Sequence, residues 1–394
     1  MFSRLNIIPR LWVEVNLDNI IHNFKILKNY IDCSVRFIVV VKGNACGHGA
    51  EVIANTLQKY GVWGFAVAYL EEALKLRETG INLPILILGS SLGEDSEYVI
   101  QYNLSQTVST FEHAFLLSKA AKKAGKNAKI HLKVDTGLHR LGVDWNKAFK
   151  VAQSILELPN IRLEGIYTHF SQVDENSSVL VEEQLQRLLN VSNNLLNIEA
   201  EMPLRHAAAT AALLLYPNTY LDMVRVGSGI YGLNPVNSLR GKIGLKETFT
   251  LKTRIIYLKN VPFGHNIGYG NTFVTKRNIK VATIPVGFYD AGLLLSAFRR
   301  ALVKSKKVQI IGAVSQNFCM IDVTEVEGVQ EGDEVVLLGT QGEQSINIHE
   351  VVNKMGVLIG EVYSMIKSTV PRFYISKDKN ISNHSMIISQ KLTI

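Results

Sequence analysis

Between Arg36 and Gly232, eight short apolar runs alternate with longer segments of helical character, and this count limits the fold more than any other feature of the chain. The runs are RFIVVV, WGFAVA, PILILG, SQTVS, KIHLKVD, LEGIYTHF, PLRHAAA and MVRVGSGIYG. Each is short and apolar or β-branched, as a strand buried on both faces must be. Between them lie segments such as YLEEALKLRETG and TFEHAFLLSKAAKKAG. The second carries apolar residues at helical spacing, lysines near its end and Gly125 as a stop. Eight strand–helix units in roughly 200 residues is the count of a (β/α)8 barrel. A doubly wound open sheet is the alternative that the same pattern allows.

After Leu233 the texture changes. TFTLKTRIIYLKNVP, KVATIPVGF, KVQIIGAV, FCMIDVTEV and DEVVLLG cluster or alternate β-formers between turn residues, with one helical segment, NIHEVVNKMG. The fold class expected is therefore α/β: a TIM-like barrel followed by a second, mostly β C-terminal domain. With 394 residues, 47% of them hydrophobic, the chain can bury two cores. The boundaries expected are an N-terminal strand at 1–12, packing with the β domain, a cofactor-binding barrel at 13–240, and the β domain at 241–394.

The balance of 42 Lys+Arg against 34 Asp+Glu gives a net charge of +8, but the positive residues are spread out apart from short clusters such as Lys304–Lys307. That pattern points to a solvated surface and away from nucleic acid, while a mild positive field still favours an anionic ligand. Cys33, Cys46 and Cys319 form no CxxC and no metal-ligand spacing, so no metal is expected. Scattered cysteines fit a reducing compartment. No run of about 18 apolar residues occurs and the start lacks a cleavable leader, so a cytoplasmic protein without a membrane span is expected.

In a parallel barrel, chemistry sits where strands run into the following loops. That rule directs Lys42 (first strand), Lys133 (fifth), His169 (sixth), His206 (seventh) and Arg225 (eighth) toward one mouth. One charged strand end is ordinarily just solvated; five on a single rim are not. Lys42 stands out, closing VVVKGNACGHGA at Val39–Ala50. An apolar mouth disfavours an ammonium ion by desolvation, and a neutral amine there is a nucleophile able to form a Schiff base. On the opposite side, Thr210 offers a hydroxyl and VGSG at Val226–Gly229 offers backbone N–H groups, in the loops that commonly hold phosphate in barrels. An imine-forming lysine facing a phosphate nest suggests pyridoxal 5′-phosphate.

The same residues resemble those of the alanine racemases, along nearly the whole chain. VVKGNACGHG looks like that family's pyridoxal-lysine motif. HLKVDTGLHRLG (His131–Gly142), GIYTHF (Gly165–Phe170), VRVGSGIYGLNP (Val224–Pro235) and GHNIGYGNTF (Gly264–Phe273) match further family motifs in order. The resemblance implies a homodimer with shared active sites and a small amino-acid substrate, interconverted between its L and D forms by two bases. Lys42 would hold the cofactor and act as one catalytic base. Tyr269, from the partner subunit, would be the other. It further implies that Arg225 faces the pyridine nitrogen, that Arg140 faces the cofactor's phenolic oxygen and the substrate carboxylate, and that His169 steadies the tyrosine. Thr210, Gly227 and Ser228 would hold the phosphate, Gln316 would bind the substrate carboxylate through its backbone, and Lys133 is the position that carries a carbamate in many relatives.

Departures from the family pattern are informative. Cys46, Phe288 and Gly360 stand where the family has tyrosines, and Ala209 where it has asparagine. Gln316-Asn317-Phe318 replaces the family's MDQ. Loss of two phosphate-binding hydroxyls would weaken cofactor binding by about 1.5–3 kcal/mol each unless other donors replace them. A glycine at the substrate entrance would admit serine or a larger amino acid as well as alanine. Two alternatives stay open on sequence alone: a pyridoxal-dependent amino-acid decarboxylase, against which Arg225 argues because such enzymes place an acid at the ring nitrogen, and a cofactor-binding relative with weak turnover.

Overall fold

The eight runs form eight strands: Arg36–Val40, Gly64–Val67, Ile85–Ile87, Ser105–Val108, Ala128–Asp135, Ile161–Tyr167, Leu204–His206 and Met223–Val226. In this computed structural model, residues 9–197 and 202–377 are described. Parts of the flanking segments expected above, 1–8 and 378–394, lie outside the described residues. Neighbouring strands pair in parallel from first to seventh, and the eighth pairs with the first. Two backbone hydrogen bonds join seventh to eighth, Asp222 N to Arg205 O at 3.0 Å and Arg225 N to Ala208 O at 2.9 Å. The sheet thus closes on itself, which distinguishes a barrel from an open doubly wound sheet.

Strand order follows from the connections. Helices such as Leu70–Glu78, Phe111–Lys123, Trp145–Leu156 and Ser178–Leu195 return the chain after each strand, and parallel neighbours need such crossovers. The helix Phe111–Lys123 starts where Thr110 caps it, its hydroxyl accepting from His113 N at 3.2 Å, and ends in two lysines that favour its negative terminus. A buried layer of Ile38, Ala66, Leu86 and Met223 ties the first, second, third and eighth strands together.

The chain divides into two units. One comprises Ile20–Ala45 and Gly49–Lys246 and contains the barrel; the other comprises residues up to Asn19, Cys46–His48, and Glu247 onward. The second unit is built on a ten-stranded sheet, most of it antiparallel. Strand Leu11–Asn16 lies within that sheet, antiparallel to Phe249–Arg254 and parallel to Arg372–Ile375. It runs past residue 12 because Val13 and Val15 are fully buried there, in register with Leu251 and Phe249.

Besides the anticipated helix Ile348–Met355, this unit carries Phe288–Phe298 and Ile359–Ser364. The former hides in sequence because Gly292 and an almost wholly apolar run blur its period. Asp290, whose carboxylate accepts from Gly287 N at 3.2 Å and takes a bidentate pair from Arg10, fixes its start. No helix among the described residues is long and apolar enough to cross a membrane.

Candidate active site

Lys42 follows the first barrel strand and opens a turn with an unusual backbone. Gly43, Asn44, Ala45 and Cys46 all take left-handed conformations, with φ of 64°, 53°, 54° and 50°. Left-handed residues other than glycine cost about 1–2 kcal/mol each, so the turn needs support. Glu72 supplies part of it: Oε1 accepts from Gly43 N at 2.6 Å, while Oε2 accepts from Ala68 N at 2.8 Å. Asn44 supplies more, its side chain accepting from Ala50 N at 2.9 Å and its carbonyl from Gly49 N at 3.0 Å. The lysine therefore leaves a strand whose next four residues are wound the opposite way, which places the side chain on the rim of the barrel mouth.

That mouth holds a cavity of about 690 Å³. Its walls include Lys42, Lys133, Arg140, His169, Thr210, Arg225, Gly227 and Ser228, as expected from sequence, but not His206, which was expected at the mouth and is instead fully buried beneath Arg225. Four of these are cationic, and no aspartate or glutamate lines the cavity. Lys133 shows the strain of this arrangement. Burial, then Arg140 and Arg225, push its amine down to about 8, with Lys42 adding to the effect and Asp135 opposing it. Burial and the same cations push His169 down to about 3. A neutral His169 facing Arg225 Nη2 at 3.3 Å must accept at Nδ1, so its Nε2 carries the proton.

Arg225 is 3% exposed. Its Nη2 donates to Thr168 O at 2.8 Å and Ala207 O at 2.9 Å, and Nη1 to His206 Nδ1 at 2.9 Å. Burial lowers it to about 10, which leaves it a cation at neutral pH. Arg140 sits at the end of a loop pinned by Asp135, whose Oδ1 accepts from the backbone of Gly137, Leu138 and His139 at 3.0, 3.0 and 3.1 Å. Burial works against that carboxylate, yet these donors hold it below the usual range. On the opposite wall, Thr210 Oγ1 accepts from Gly227 N at 3.3 Å and Gly229 N at 3.4 Å, which leaves its proton to donate outward.

Tyr269 and Gln316 belong to the other unit and are not among the residues lining this cavity. Tyr269 tips a hairpin braced by Ile267 N to Phe273 O and Thr275 N to His265 O, both 2.9 Å. The hairpin rests on a cluster of Val261, Ile267, Ile279, Val281 and Ile311, yet the phenol itself is 76% exposed. Gly268 beside it approaches the backbone of Ala313 so closely that a Cβ would lie 3.1 Å from its nitrogen. The Tyr269 loop and the Ser315–Phe318 loop, which presents Gln316 to solvent, are thus neighbours within one unit.

Sequence reasoning named His206 but placed it at the mouth, and it missed the other groups beneath Arg225. Tyr167 stacks on His206 with ring centroids 4.5 Å apart at 7°, and its hydroxyl meets Thr107 Oγ1 at 2.9 Å. His131 and Glu164 continue the polar chain below. The available signal was a histidine and a glutamate inside strands that should be apolar on both faces.

The N-terminal domain family of alanine racemase matches residues 15–235, and the C-terminal domain family of the same enzymes matches 248–374. A protein called alanine racemase 1 from Caldanaerobacter subterraneus subsp. tengcongensis is 44% identical over 368 residues, 92% of this chain and 94% of that one. The solved alanine racemase of Clostridium difficile 630 superposes with a TM-score of 0.88 at 31% identity, covering 93% of this chain and 96% of that one. A histidine racemase from Leuconostoc mesenteroides subsp. sake gives 0.83 at 26% identity over 93% and 98%. With both domains matched in order and a barrel mouth of this make-up, the chain belongs to the alanine racemase family.

Proposed function

We propose that this chain interconverts L- and D-alanine as a homodimer, with pyridoxal 5′-phosphate in the barrel cavity, Lys42 as one base and Tyr269 of the partner as the other. The observation that carries the reading is the cavity wall: four cations, no carboxylate, and a lysine at the rim. Enzymes of this family depend on that cofactor. Its phosphate and phenolic oxygen, with the substrate carboxylate, bring the negative charge that the wall lacks, so the residues fit the group.

Thr210, Gly227 and Ser228 would hold the phosphate, Lys42 would bond the carbonyl carbon, Arg225 would face the ring nitrogen, and Arg140 would take the phenolic oxygen and the substrate carboxylate. When bound, the cofactor supplies a ring into which negative charge from the substrate's Cα can spread. The chain supplies the proton traffic. Lys42 takes or returns the Cα proton on one face, and the Tyr269 phenol oxygen does so on the other. Neutral His169, with its proton on Nε2, donates a hydrogen bond to the phenol oxygen and steadies it. Because Arg225 stays protonated, it donates to the ring nitrogen and protonates it poorly, which limits charge storage in the ring and favours quick return of the proton. The same feature weighs against decarboxylation. The backbone of Gln316 adds a donor to the substrate carboxylate. Lys133, its amine pushed down to about 8 and so partly free at neutral pH, is suited to react with carbon dioxide with release of a proton; the resulting carbamate would place one anion among the cations and pair with Arg140. With no disulfide among its three cysteines, the chain fits the cytoplasm.

Purified chain with added cofactor should bring either enantiomer of alanine to an equal mixture, and Lys42→Ala should abolish both directions. An inert wild-type chain would contradict the assignment. A second reading widens the substrate range: at Gly360 a Cβ would meet nothing within 4 Å, so the side chain lost there leaves open space. Turnover of serine or a larger amino acid that Gly360→Tyr suppresses supports it; alanine as sole substrate of both forms refutes it.

A further inference from the structure

Beneath the cavity, four side chains form one hydrogen-bonded line. Arg225 Nη1 meets His206 Nδ1 at 2.9 Å, His206 Nε2 meets His131 Nδ1 at 2.9 Å, and His131 Nε2 meets Glu164 Oε2 at 3.2 Å. Ser105 Oγ donates to the same carboxylate oxygen at 2.5 Å. Arg225, His131 and His206 are buried, and Glu164 is 14% exposed.

Only one placement of protons satisfies the line. An arginine can only donate, so His206 Nδ1 must be bare and its proton must sit on Nε2. His131 Nδ1 must then accept, and His131 Nε2–H donates to Glu164. If His131 carried its proton on Nδ1, His206 would have to accept at Nε2 and carry its own on Nδ1, directly against the arginine N–H. Both imidazoles are thus neutral, with aligned dipoles running from a cation at one end to an anion at the other. Burial and the Arg225 charge keep His206 far below the usual histidine range, which agrees.

The fold is built around this line. A Cβ on Gly165 would lie 2.2 Å from His131 Nδ1, and the pairing of the fifth and sixth strands shifts by one residue there, from Ile130↔Leu163 to His131↔Gly165. Tyr167 covers His206 on one face and lies 5.0 Å below the Arg225 guanidinium. A guanidinium held at Nη1 by His206 and at Nη2 by two carbonyls has its plane fixed, so its remaining N–H groups keep one direction.

We propose that Glu164, acting through His131 and His206, is a positioning residue for Arg225: it sets the tautomers that lock the guanidinium plane and supplies the buried counter-charge that holds it in place. The line rests on geometry alone; its effect on turnover rests on the role given above to Arg225. The charged and titratable groups around it are Lys42, Lys133, Arg140, Asp135, His169 and Tyr167 at the mouth and Lys129 beside Glu164.

The test uses 15N-histidine holoenzyme in magic-angle-spinning NMR, with signals assigned from His131→Gln and His206→Gln. Wild type should show both residues bare at Nδ1 and protonated at Nε2, unchanged from about pH 5 to 9, across the ordinary histidine range. Glu164→Leu should let His131 titrate or change tautomer and lower kcat by about 10–100-fold with little change in KM, the usual cost of losing an orienting partner. Glu164→Gln keeps an acceptor; it should preserve the tautomers and lose less activity, and it provides the readout should the leucine variant not fold. A proton on His131 Nδ1 in wild type, or a folded Glu164→Leu with unchanged histidine signals and kcat, overturns the proposal. An unchanged kcat in Glu164→Gln beside a titrating His131 in wild type does the same. Correct tautomers in a wild-type chain that racemises nothing would instead sink the functional reading and leave the line standing.

Discussion

Glu164 sits where burial alone would raise its carboxyl, yet hydrogen bonds from His131 and Ser105 bring it down to about 2. In the unfolded chain it returns to the ordinary range near 4.3. Its contribution to stability is therefore complete above that value and is lost as pH falls toward 2. His169 acts in the same direction, since its folded form resists a proton that the unfolded chain accepts below about 6.5. Acid unfolding should thus begin early in wild type, and Glu164→Gln should flatten the loss between about pH 4.3 and 2, a difference on the order of 3 kcal/mol across that window. Identical urea midpoints for the two proteins at every pH in that range would contradict this. Lys133 acts with the same sign in a higher window: with its amine near 8 in the fold, the full cost of its buried charge is carried below that pH and is relieved as pH rises toward the unfolded value of 10.5. The carbamate proposed for Lys133 would relieve the strain at neutral pH. Added bicarbonate should accordingly raise both activity and melting temperature of wild type and leave Lys133→Ala unmoved; no response in wild type would argue for a plain amine.

Two elements do more than support the site. The left-handed turn after the first strand turns Lys42 out of the barrel wall, and its cost is offset by Glu72 and Asn44. The one-residue shift between fifth and sixth strands admits the His131 ring where Gly165 lacks a side chain. Gly165→Ala should therefore destabilise by about 1–3 kcal/mol or more through overpacking and should disturb Arg225 through His131. A variant with wild-type melting temperature and kcat would show that the ring has other room. At this scale the limits of sequence reading are plain. Apolar runs bounded by turn residues marked all eight barrel strands, because strands buried on both faces must be short and apolar. Rim positions were readable because strand ends converge on one mouth. The shift at His131 was not, since a single extra residue in a pairing leaves no local pattern. Helix Phe288–Phe298 was missed because it lacks a polar face to set the period.

At the scale of the whole molecule, the barrel unit carries Lys42 and the sheet unit carries Tyr269 and Gln316. If each site draws its lysine from one subunit and its tyrosine from the other, two dead variants can rescue each other. Lys42→Ala and Tyr269→Phe, each inactive, should recover about a quarter of wild-type activity when unfolded and refolded together. Half of the dimers formed are mixed, and one of the two sites in each is intact. No recovery, with mixed dimers shown to form, would mean that both groups act within one chain. The central claim is that two bases on opposite faces exchange the Cα proton of alanine, and deuterium uptake tests it most directly. In heavy water, wild type should place solvent deuterium at Cα of product from either enantiomer, and Tyr269→Phe should bind cofactor but lose that exchange from one enantiomer. Wild-type turnover without deuterium at Cα, or full exchange of both enantiomers by Tyr269→Phe, would contradict it.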